Sequence, residues 1–95
     1  MTSPRRTDAN HAEIVAAYRA LGVDVADTHI VGAGFPDLVV AVDGACDLVE
    51  VKTADGKFTA AEIEFIRHWP KPVVTVRSIE DVARHVAEMR EEAEG

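Results

Sequence analysis

The stretch LVVAVDGACDLVEV, residues 38–51, constrains this chain more than any other. Two apolar runs flank Asp43-Gly44, a dipeptide that favours a tight two-residue hairpin turn. Such a turn pairs Val42 with Ala45. Counting outward from that pair sets Asp37 opposite Glu50. Side chains alternate along a strand, so Glu50 and Lys52 share one face. Opposed residues have β-carbons about 5 Å apart, and like charges there repel each other. A three-residue turn with a bulge would break the match. With the two-residue turn, two carboxylates meet at the mouth of a hairpin. Pro36 fixes the turn that delivers Asp37.

The rest of the chain supplies helices to cover such a hairpin. Ile14, Tyr18 and Leu21 fall on one helical face within residues 10–21, and Gly22 stops that helix. Residues 23–31 alternate as a strand interrupted near Asp27. Residues 32–36 form a Gly-rich loop. After the hairpin strands at 38–42 and 46–51, Thr59 opens a second helix that runs to about Trp69, ahead of Pro70. Residues 73–76 make a fourth strand, and Ser78 caps a third helix reaching about Met89. The order is αβββαβα, an α/β fold with a small mixed sheet flanked by helices. Phe65, Ile66 and Trp69, at helical spacing, are expected in the core.

Length and charge bound the function. At 95 residues the chain suits one domain, here 10–89, with a mobile arm at 1–9 and an acidic tail at 90–95. A net charge of −7 argues against a protein that coats DNA non-specifically, but not against a nucleic-acid enzyme with local positive charge. No apolar run approaches the roughly 20 residues of a membrane helix. The single cysteine, Cys46, excludes an internal disulfide framework. The opening Met-Thr-Ser-Pro-Arg-Arg lacks an apolar leader core, so a cytoplasmic location is expected.

Two carboxylates at the hairpin mouth supply hard oxygen ligands that suit Mg2+ or Mn2+. Lys52, one pleat beyond Glu50, is placed to offset their charge, contact a phosphate and orient a water. The competing reading is an edge hairpin with charges on its wet face. His11, His29, His68 and His85 show no zinc-ligand spacing with one another or with Cys46. His29 is expected as a surface residue near the site mouth.

Pro36-Asp37 followed by Glu50-Val51-Lys52 resembles the signature of the PD-(D/E)XK nuclease superfamily. The wider string, Gly32-Ala-Gly-Phe-Pro-Asp37, Glu50-Val-Lys-Thr53 and the Thr59-led helix, is similar to its compact VRR-NUC and phage Holliday-junction-resolvase-like branch. The resemblance covers residues 10–86 and implies a restriction-endonuclease-like αβββαβ core with a C-terminal helix appended. It further implies that Asp37, Glu50 and the Val51 carbonyl hold the metal, that Lys52 is catalytic, and that Glu13 on the first helix joins the site. Glu13 also reads as the third helical position of a box capped by Asn10. Relatives often carry glutamine at the position of Glu62, which is equally the acid of a Thr59-Ala-Ala-Glu capping box. Gly34, Thr53 and Lys57 are candidate contacts to the substrate backbone.

The expected function is therefore a divalent-metal-dependent DNA endonuclease, with branched DNA such as a Holliday junction as a substrate and a homodimer as the acting form. The alternative is a binding or interaction module on the same fold, including a nuclease subunit that works with a helicase partner.

Overall fold

A computed structural model describes residues 9–94; residues 1–8 of the expected arm lie outside the described residues. The elements are α1 (His11–Ala20), β1 (Asp24–Asp27), β2 (Leu38–Val42), β3 (Ala45–Val51), α2 (Ala60–His68), β4 (Val74–Val76) and α3 (Ile79–Glu94). The order αβββαβα is the one the sequence predicts. The four strands form a single sheet in the order β1-β2-β3-β4. β1, β2 and β3 are antiparallel neighbours, and β4 joins β3 in parallel after the α2 crossover.

The hairpin closes with the two-residue turn. Asp43 and Gly44 have φ of 51° and 85°, the left-handed pair that matches the twist of the strands. Val42 pairs with Ala45, and the register runs outward to Leu38 opposite Val49. One further step opposes Asp37 to Glu50.

Leu38, Val40 and Val42 alternate onto one sheet face with Ala45, Val49 and Val51, and all six are buried. Ile14, Val15 and Tyr18 from α1 and Val82, Val86 and Met89 from α3 complete this core. The core also holds a polar chain. The Tyr18 hydroxyl donates to His85 Nδ1 at 2.7 Å, and His85 Nε2 donates to Asp47 Oδ2 at 2.7 Å. Lys71 closes on Asp47 Oδ1 at 2.7 Å. Burial works against the Asp47 charge, but the bonds from Lys71 and His85 outweigh it and hold the carboxyl below its usual range. Burial, then the nearby Asp47 and Asp81, push the Tyr18 phenol well above its ordinary value, so it stays a donor.

The structure corrects the sequence expectation at three places. The first strand is four residues long, Asp24–Asp27, and Thr28 turns the chain away from it. No side chain of α2 is fully buried. Trp69 is 42% exposed and stacks on Phe65 at the surface instead of entering the core. The third helix continues to Glu94, so Glu91, Glu92 and Glu94 ride exposed on its last turns.

Candidate metal and phosphate site

Glu50 on β3 and Lys52 just beyond its end lie on the sheet face opposite the main core, as alternation requires. Both are nonetheless buried, Glu50 at 1% and Lys52 at 6% exposure. Asp37 enters from the residue before β2 and is half-buried. Its Oδ2 accepts the Val51 N–H at 2.9 Å, so a side chain extends the β2–β3 ladder where Pro36 has ended it. Glu50 and Asp37 share a hydrogen bond between their carboxyl groups. Burial is the largest cause lifting the Glu50 carboxyl far above the usual range. The Asp37 hydrogen bond, the Asp37 charge and the Glu62 charge add to it, against a smaller opposing pull from Lys52. The Glu50 carboxyl, raised in this way, keeps its proton at neutral pH. A divalent cation would answer the same electrostatic need.

Lys52 is held from two directions. Its Nζ meets Glu62 Oε1 at 2.7 Å and lies 5.3 Å from the centre of the Phe58 ring. The same Glu62 oxygen accepts the Thr59 N–H at 2.8 Å, while Thr59 Oγ1 accepts the Glu62 N–H at 3.2 Å. The capping box is complete, and its acid also pairs with the lysine. Glu62 therefore caps its helix and stands in the cleft at once. Burial opposes its ionisation, but the bonds from Lys52 and the Thr59 amide outweigh burial and lower its carboxyl.

Loop 28–36 brings these parts into register. Gly32, Ala33 and Gly34 follow one another at φ of 76°, 56° and 83°. A β-carbon on Gly34 would run into the Ala61 carbonyl in the first turn of α2. Gly34 thus allows the loop to lie directly on α2, and Phe35 meets Phe65 edge to face at 5.3 Å. Gly34, Asp37, Thr59 and Glu62 line one cleft with His29.

The other sequence candidates sit at varying removes. Thr53 is half-buried, and its carbonyl accepts Arg77 Nη1 at 2.7 Å, which fixes the loop after β3. Lys57 is exposed in that loop. Glu13 is exposed on α1 and lines a separate groove with Ala17, Leu21, Ile79 and Ala83. Its alternative, the Asn10 cap, is not formed by the Asn10 side chain. Asn10 Nδ2 instead donates to the Lys52 carbonyl at 3.1 Å, tying the start of α1 to the end of β3.

The sequence reading missed a second polar cluster. His11 Nε2 lies 2.9 Å from Asp27 Oδ2, and His29 Nδ1 lies 2.6 Å from Asp27 Oδ1. Asp27 and His29 were findable as an i, i+2 pair at a strand end. His11 arrives from another element and carries no local signal.

No family model matches the chain, and neither a curated protein nor a solved structure matches it.

Proposed function

We propose that this protein is a divalent-metal-dependent DNA endonuclease of the PD-(D/E)XK kind, cutting phosphodiester bonds in branched DNA as a homodimer. One observation carries the reading. Glu50, buried at 1% exposure, lies against Asp37 at the hairpin mouth, with Lys52 one pleat away on the same face. A carboxyl pair that cannot carry two charges unaided suits a hard cation, and Asp37, Glu50 and the Val51 carbonyl are the groups to hold it. Mg2+ or Mn2+ would supply Lewis acidity and lower the pKa of a bound water. Lys52 contacts the scissile phosphate or orients the water, and Glu62 sets its position. A symmetric dimer would present two such clefts for paired cuts.

A second reading, an interaction module without catalysis, draws support from the Lys52–Glu62 pair, which occupies the lysine at 2.7 Å. Cleavage separates the two. With manganese, the wild type should cut supercoiled or four-way-junction DNA. Lys52→Arg and Lys52→Ala should bind DNA in calcium yet lose cleavage at least about a hundredfold, the size of a lost electrostatic or acid–base contribution. Arginine fails because its planar fork cannot reproduce a compact ammonium in this pocket. A wild type that binds every substrate and cuts none, alone or with a helicase, would hand the function to the module reading.

A further inference from the structure

We propose that His11, Asp27 and His29 form a second cation site, one that takes zinc or a neighbouring transition metal in preference to magnesium. One ligand atom from each residue lies within 4.8 Å of the others. Two imidazoles and one carboxylate are the donor set of open zinc sites and of other transition-metal sites that keep free positions. Imidazole nitrogen favours zinc, nickel and cobalt, whereas magnesium demands oxygen.

The residues are pre-gathered around one carboxylate. His11 and His29 approach different oxygens of Asp27, and their rings meet edge to face at 5.2 Å. Bonds of about 2.0–2.1 Å to a shared ion would set the ligand atoms about 3–3.5 Å apart. The two His–Asp distances, 2.9 and 2.6 Å, would open slightly and the gap between the imidazole ligand atoms, at most 4.8 Å, would close, which takes side-chain rotation of roughly an ångström. The buried partner, His11, is 10% exposed and is the fixed ligand at the first residue of α1. His29 and Asp27, at 33% and 36%, face solvent and are the ones that adjust. Their exposure also leaves room for water in the remaining coordination positions. Burial works against the Asp27 charge, but hydrogen bonds from both histidines outweigh it and hold the carboxyl at about 2, so it is ionised and able to ligate at neutral pH.

The site would act as a clamp. It spans the start of α1, the end of β1 and the beginning of loop 28–36. Thr28, between two of the ligands, donates its N–H to the Asp37 carbonyl at 2.8 Å and its hydroxyl to the Pro36 carbonyl at 2.8 Å. An ion here fastens the segment that presents Asp37, one strand over from the carboxylate pair. The proposal does not rest on the endonuclease reading.

The test is calorimetry with zinc, and absorption spectroscopy with cobalt, on tag-free, chelator-stripped protein in millimolar magnesium. One equivalent of zinc should bind in the micromolar range or tighter and raise the melting temperature. His29→Ala and Asp27→Asn should each weaken zinc at least about tenfold, the least expected when a direct ligand is lost. Asp37→Ala and His68→Ala should leave zinc affinity unchanged. His29 is the variant of choice because its partial exposure spares the fold. Absence of zinc binding by the folded wild type would overturn the proposal. So would binding that survives His29→Ala and disappears in Asp37→Ala or His68→Ala.

Discussion

Replacing Glu50 with glutamine should make the metal-free protein more stable at neutral pH. Glu50 is 1% exposed and hydrogen-bonded to Asp37, and its carboxyl is raised far above the ordinary value of 4.5. In the unfolded chain that carboxyl is ionised at pH 7, so folding must take up a proton. The interval from 4.5 to pH 7, at about 1.4 kcal/mol per pH unit, makes this cost about 3 kcal/mol. An acid whose pKa is raised on folding contributes its full stability below its unfolded pKa. That contribution is lost as pH rises towards the folded value. A glutamine side chain is uncharged at every pH, and its amide can donate to Asp37 as the protonated acid does. Glu50→Gln should thus match the wild type near pH 4.5 and exceed it by about 2–3 kcal/mol at pH 7. At about 4–8 °C per kcal/mol for a domain of this size, the melting temperature should rise by roughly 10–20 °C. Urea unfolding followed by circular dichroism, in chelator, across about pH 4.5–8 measures the difference directly. Contributions from the rest of the chain are common to both proteins and cancel in the difference. Parallel pH curves with no gain at pH 7 would refute the reasoning, because Glu50 would then enter the folded state ionised and balanced by Lys52.

The same pair predicts the response to metal: calorimetry should show magnesium or manganese binding that Asp37→Ala and Glu50→Ala each weaken strongly. Unchanged binding in both variants would end the metal assignment. Glu62→Gln keeps an oxygen for Lys52 and for the Thr59 amide, so cleavage should persist and stability should fall by no more than about 1–2 kcal/mol, read by urea unfolding. Loss of cleavage with unchanged melting would make the Glu62 charge itself part of the chemistry. Tyr18→Phe removes the donor to buried His85 Nδ1 and should cost about 1–3 kcal/mol by the same assay, as an unsatisfied buried acceptor does.

What could be read from the chain followed from local rules. Asp43-Gly44 specified the turn, the turn specified the register, and the register opposed Asp37 to Glu50. The Thr59–Glu62 box was equally local. The failures share a cause, which is competition between a local partner and a distant one. Asn10 has the spacing of a cap, but its amide goes to a carbonyl 42 residues away. Glu62 caps its helix and, with the same oxygen, reaches a lysine beyond the end of β3. His11 and Asp27 are 16 residues apart, and the buried chain from Tyr18 through His85 to Asp47 joins α1, α3 and β3. Helical spacing placed Phe65 and Trp69 on one face correctly but could not reveal that α2 lies against loop 28–36 with that face half open.

Gly34 contributes no functional group, yet it governs the spacing of those that do. Its missing side chain is the clearance that lets loop 28–36 rest on the backbone of Ala61. One residue later in α2 comes Glu62, and against Glu62 sits the Lys52 ammonium. Position 34 is in effect a shim between two fitted parts. Thickening it by a single methyl group would lever the helix outward, draw the carboxylate off the lysine and leave a buried positive charge beside the Asp37–Glu50 pair. The ionisation of the cleft is thus set in part by an atom that the sequence leaves out.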